Sequence, residues 1–302
     1  MKLNSRSFRA VDFLYLLMMI LPIMVAITIK VLTNSPSEGI SITGAGIYFT
    51  LSLPLQSLPI TEAQVNSALV MVSIFGLCLF LTHGINSGRM LTRHQIAEWV
   101  VEKVQELVEG NMGSYFSGYA PFITSILALS AFSSLMSLCG LYPPTSDINV
   151  VAGWSILVFA LITYYKLKGG LGNYLKGFTE PIFIMTPLNI LGEVATPVSM
   201  AFRHYGNVLS GVVIAVLVST ALQGLSNMVL GWLPGVLGEI PFLQVGIPAI
   251  LSIYFDVFSG CMQAYIFAML TMLNLAGAFP QEEYELRKQK KQEKLLKKHK
   301  NQ

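Results

Sequence analysis

Apolar residues arrive in long blocks separated by short polar stretches, and the blocks predict helices of membrane-spanning length. Residues 13–32 form a first apolar run behind Lys2, Arg6 and Arg9. A basic start followed by an apolar run also fits a signal peptide. The run is about 20 residues long and lacks a small-x-small cleavage site, so it is read as a retained span. Residues 33–62 are rich in Ser, Pro and Gly and carry Glu38 and Glu62 without Lys or Arg. Further spans are expected at 64–83, 119–141 and 149–165. Tyr142-Pro-Pro144 stops the third, and a short loop with Asp147 precedes the fourth.

Between the second and third spans the period changes. Over 94–109, Ile96, Trp99, Val100, Val104, Leu107 and Val108 share one helical face, which Glu98, Glu102, Lys103, Glu106 and Glu109 mostly avoid. This predicts an amphipathic helix on the membrane surface or on a partner. Its acidic face argues against simple binding to anionic lipid. After Lys166, Lys168, Lys176 and Pro181 come two apolar segments of unusual length, 186–223 and 243–276. As helices they would measure about 57 and 50 Å against a hydrocarbon core of ~30 Å, so both are expected to be strongly tilted or broken. Pro197 in the first, and Gly246 with Pro248 in the second, are the expected interruptions. Pro197 also leaves the carbonyl of Glu193 without its helical donor, and an open acceptor there suits a wet polar pocket.

Composition agrees with an all-α integral membrane protein of six spans: 53% of residues are hydrophobic and 12% charged, with a mean hydropathy of +0.62. The formal net charge of +3 belongs to a basic tail, 281–302, which holds eight Lys/Arg against four Glu. No nucleic-acid surface is implied. Six spans put both termini on one side, together with 17 of the 19 Lys/Arg, and the positive-inside rule makes that side cytoplasmic. Only Lys30 and Arg203 are left over. Cys78, Cys139 and Cys261 lie in apolar runs and read as buried free thiols. Neither metal nor cofactor spacing occurs, and no nucleophile–base pairing that would suit an intramembrane enzyme is visible.

Arg203 is the residue that calls for an explanation. A guanidinium keeps its charge, and a mid-membrane site costs roughly 2.5–3.5 kcal/mol on insertion scales. At about 100° per residue, Gly192, Thr196, Ser199, Gly206, Asn207 and Ser210 fall on its face of a helix. A packing seam of small residues accounts for the glycines and serines but leaves the arginine without a role. In the last segment Asp256 shares a predicted stripe with Ser259, Gly260, Gln263 and Asn274. The plain reading of Asp256 is a salt bridge to Arg203. The functional one is a water-accessible carboxylate that relays protons or holds a small cation. A stand-alone secondary transporter would be expected to show an internal repeat, and none is visible.

The run Pro187-x-Asn189, Glu193, Pro197-x-Ser199, Arg203-x-x-Gly206-Asn207 and Gly211 resembles the signature of subunit a of F-type ATP synthases. Pro144-Thr145-x-Asp147-x-Asn149 and Gln263-Ala264-x-Ile266-Phe267-x-Met269-Leu270-Thr271 agree, in the same order. The resemblance runs from about Pro59 to Leu275. It implies a non-nucleotide-binding stator subunit in a bacterial plasma membrane, with the last two helices packed as a hairpin beside a c-subunit ring. Peripheral-stalk b subunits and the other synthase subunits would be its further partners. Two half-channels would pass H⁺, or Na⁺ in a variant of the same machine. Arg203 would face the ring carboxylate, and a fixed cation favours the ionised form of a carboxylic acid beside it. Glu193 and Ser199 would line the cytoplasmic half-channel and Asp256 the outer one, with Asn189, Asn207 and Gln263 as polar helpers near the arginine. His204-Tyr205 stands where Leu-Phe is usual, and Val212 stands where Glu or His is frequent. The first span and the lysine-rich tail lie outside the usual pattern.

Overall fold

The computed structural model describes residues 5–33, 44–52, 54, 57–85, 91–179, 182–230, 246, 250–251 and 253–281. The tail beyond Gln281 and most of 243–252, with Pro248, lie outside these residues. Eight helices appear among the described residues: α1 (Ser5–Thr33), α2 (Glu62–Thr82), α3 (Thr92–Met112), α4 (Ala120–Leu135), α5 (Ile148–Lys168), α6 (Leu171–Thr179), α7 (Thr186–Leu230) and α8 (Gly260–Ala278). Six stretches among the described residues are long and apolar enough to cross a membrane. The molecule is an all-α membrane protein, and among the described residues the one exception is an antiparallel hairpin, β1 (Ile47–Ser52) with β2 (Ser57–Thr61). The hairpin falls in the segment read above only as Ser/Pro/Gly-rich. Ile47-Tyr48-Phe49-Thr50 is a run of strand-forming residues that signalled it.

Local chemistry explains where the helices start. The Gln64 side chain accepts from the Thr61 N–H at 3.3 Å at the entry to α2. Asp147 caps α5 by accepting from the Asn149 N–H at 2.9 Å, so this motif aspartate has a structural task. The core forms where α3, α4, α5 and α8 meet, around Val108, Ile123, Val158, Phe267, Met272 and Leu275. With lipid outside, packing rather than water exclusion holds such helices together, and small residues let backbones approach. At Gly76 of α2 an added Cβ would sit 2.9 Å from the Met19 backbone nitrogen of α1, so only glycine fits that crossing.

Polar contacts fasten α1 at both ends. Asp12 accepts from Arg93 Nη1 at 2.8 Å and contacts His83 Nδ1 at 2.8 Å; Lys30 lies 3.6 Å from Glu62 at the other end. The three cysteines are free but exposed, against the expectation of buried thiols. In a membrane protein an apolar run faces lipid as readily as its own core, so apolar neighbours in sequence do not imply burial.

Helix α7 settles the choice between tilt and break. It runs unbroken through Pro197 for 45 residues, about 68 Å at 1.5 Å per residue, and therefore crosses a ~30 Å core only at a steep tilt. The last segment is irregular instead: Ile253–Ser259 winds as a π-helix before α8 begins. Only 6% of the apolar window of α7 is buried inside the chain, compared with 44% for the last span. α8 is a core element, and α7 lies on the flank.

Candidate functional site

Helix α7 is the backbone of the site, and its inner face fixes its rotation. Met200, Ala201 and His204 are buried against the core. His204 Nε2 lies 3.3 Å from Ser130 Oγ of α4, with Trp154 and Phe267 edge-on to the ring. The opposite face is open. Arg203 and Ser199 are exposed, and an added Cβ at Gly192 or Gly206 would meet nothing within 4 Å. Among the described residues Arg203 forms no ion pair, either with Asp256 or with Glu193. The simple Arg203–Asp256 salt bridge is therefore not the arrangement found.

Toward the Lys166 end of α5 a cavity of about 590 Å³ opens between α5, α6, α7 and α8, lined among others by Lys166, Tyr174, Asn189, Glu193 and Thr196. A second cavity of about 230 Å³ shares Lys166, Glu193 and Thr196 and reaches Phe159 and Asn274 deeper between the helices. Glu193 Oε2 accepts from Lys166 Nζ at 2.6 Å, while its Oε1 is buried without a partner. Burial first, and then the Glu193 carboxylate, push the Tyr174 phenol above its ordinary range. Asn189 donates to the Phe178 carbonyl at 2.9 Å. Nothing in the sequence pairs Lys166 with Glu193. They are 27 positions apart, and in the sequence Lys166 is one of three lysines ahead of the long apolar segments.

At the opposite end of the core, Asp256 rides on the π turn. It lines a small cavity of about 10 Å³ with Ser134, Ser137, Pro143 and Asn207 among its walls. A volume of that size holds about one water. Asn207 Nδ2 donates to Ser259 Oγ at 2.8 Å, tying α7 to this turn. α8 then passes very close to α4: a Cβ on Gly260 would lie 2.6 Å from Ser134 Cβ. The single polar stripe expected for Asp256, Ser259, Gly260, Gln263 and Asn274 is divided. Asp256, Ser259 and Gly260 gather at this end, and Gln263 is buried with 4% exposure. Asn274 lies at the other end, in the Glu193 cavity, and donates to Met200 Sδ at 3.8 Å. Asn274 follows Asp256 by 18 positions, ~27 Å along a helix, so residues that share a face on a helical wheel stand at opposite ends of the span.

Two polar cavities thus sit near opposite ends of the helix bundle, and α7 passes both. Arg203 stands between them on α7, about 15 Å along the axis from Glu193 and about 6 Å from Asn207. Among the described residues no group of three His, Cys, Asp or Glu side chains forms a metal cluster.

The family model described as ATP synthase A chain matches residues 65–276, well over half of the chain. The chain belongs to that family. Subunit a of the ATP synthase of Macrococcus caseolyticus is 28% identical over 256 residues, covering 80% of this chain and 96% of that one. Subunit a 1 of Prosthecochloris aestuarii is 28% identical over 225 residues, covering 72% and 90%. The subunit of Propionigenium modestum named as sodium ion specific is 32% identical over 167 residues, covering 54% of this chain and 50% of its own. Members of the ATP synthase A chain family form the ion-translocating membrane part of the synthase. This chain is accordingly a multi-pass membrane protein whose partners are other ATP synthase subunits. The family match begins after α1 and ends before the lysine-rich tail.

Proposed function

We propose that the chain is the stator subunit that carries ions past a rotating c-subunit ring, with Arg203 as the fixed charge between two half-channels. The observation that carries this reading is an exposed arginine, in no ion pair among the described residues, on the open flank of α7. One polar cavity lies on each side of it along the helix. An exposed cation there suits an anionic partner that arrives from outside the chain, and small residues around it let a neighbouring helix approach. Glu193, with Ser199 and Asn189, serves the cytoplasmic half-channel. Asp256, with Asn207 and Gln263, serves the outer one. Lysine would replace Arg203 poorly, because it deprotonates more readily when desolvated and lacks the planar fork.

The setting that fits is a bacterial plasma membrane with both termini on the cytoplasmic side, and peripheral-stalk b subunits that hold the stator still. The transported ion is H⁺ in the first reading. Na⁺ is the second, favoured by the relative of Propionigenium modestum whose name states sodium specificity. The test is ion-pulse-driven ATP synthesis in liposomes that contain the whole complex. Arg203→Ala should abolish coupled synthesis while the soluble head still hydrolyses ATP, and normal synthesis in that variant would overturn the reading. Repeating the assay with and without Na⁺ identifies the ion.

A further inference from the structure

Two features remain that ion translocation does not use: the acidic face of α3 and the lysine-rich tail. We propose that they belong together, and that the tail docks intramolecularly in a groove along α3. The groove encloses about 470 Å³. Glu98, Glu102, Glu106 and Glu109 line it, with Ile85 and Val101 as apolar contacts that are 42% and 59% exposed. Part of the acidity is engaged locally: Glu106 pairs with Lys103 at 2.7 Å, and Glu109 accepts from Gln105 at 3.2 Å. Glu98 and Glu102 form no ion pair among the described residues.

Three observations name the tail as the occupant. The first is where the described chain ends. Phe279 stacks on Tyr115 with ring centroids 4.5 Å apart and meets Phe116 at 5.7 Å, and both aromatics lie just past Gly113 at the end of α3. Tyr115 follows Glu109, the near end of the groove, by six residues, so the described chain ends within roughly two helical turns of it. The second is length. The 21 residues from Glu282 to Gln302 span about 31 Å if wound as a helix, against about 16 Å from Glu109 to Glu98 along α3. The third is charge register. On a helical period Arg287, Lys291, Lys294 and Lys298 fall on one face with Leu295 at its edge, and this spacing nearly repeats that of Glu98, Glu102, Glu106 and Glu109. Both segments follow an even number of spans, so they lie on the same side of the membrane.

The experiment uses the whole complex in nanodiscs of uncharged phosphatidylcholine, treated with a carbodiimide that joins carboxylates directly to amines. The expected result is isopeptide links between lysines 288–298 and glutamates 98–109 of one chain. Trypsin cleavage of the tail should also become about fivefold faster in the double variant Glu98→Gln/Glu102→Gln, the scale on which exposed ion pairs act. Tail lysines linked only to another subunit would overturn the proposal. So would a tail cleaved equally fast in wild type and the double variant, or protected only when anionic lipid is added.

Discussion

Gly260 offers the sharpest test of the packing that holds the Asp256 cavity in place. An alanine there would bring its Cβ to 2.6 Å from Ser134 Cβ and 3.1 Å from Ser134 Oγ. Carbon atoms in ordinary contact stand ~3.5–4.0 Å apart, so α8 and α4 would have to separate by about 1 Å at this crossing. Ser134 is itself fixed, since its hydroxyl donates to the Ser130 carbonyl at 3.1 Å and it is 4% exposed. Overpacking of this kind costs about 1–3 kcal/mol. Gly260→Ala should therefore lower the stability of the chain in SDS-titration unfolding from mixed micelles by that amount. Ser134→Gly removes the opposing atoms at the expense of about 0.5 kcal/mol of helix propensity. The double variant should then be no less stable than Ser134→Gly alone, a coupling within the range expected for residues in contact. Both residues line the Asp256 cavity, so ion-driven synthesis should fall with Gly260→Ala and recover in the double variant. Wild-type stability in Gly260→Ala, or simple additivity of the two changes, would refute the close crossing.

Asp256→Asn should slow passive ion flux through the membrane sector by about a hundredfold, the low end for losing a proton-transfer group; unchanged flux would make its role structural. Lys166→Met should destabilise the chain by about 1–3 kcal/mol, less than the ~3–5 of a fully buried pair, because the lysine side chain is 31% exposed. Adding Glu193→Gln should restore much of that stability without restoring ion flow, which unfolding and flux measurements separate. Deleting residues 286–302 should leave ATP-driven ion pumping intact, read by quenching of a pH-sensitive dye in vesicles.

The legible parts of the sequence were those that depend on period and cost. Six apolar runs announce helices because a ~30 Å core needs about 20 apolar residues each. Arg203 announces itself because a charge in such a run is expensive. What stayed hidden depends on distance in space. The Lys166–Glu193 pair joins α5 to α7 across 27 positions, and the Asp12–Arg93–His83 contact joins α1 to α2 and α3 across more than 70. A helical wheel shows angle and not height, so Asn274 was grouped with Asp256 although it lies ~27 Å further along, in the Glu193 cavity. Pro197 carried a double message: the missing donor is real, yet α7 continues through it.

The open flank of α7 bears on how a cell builds the complex. In the chain on its own, Arg203 stands on the outward side of α7, flanked by Phe202 at 57% and Val198 at 46% exposure. That orphan charge makes the isolated subunit the least comfortable of its states in the bilayer. Under the proposed stator reading, the ring covers this charge on assembly, and a copy left unassembled keeps paying for it.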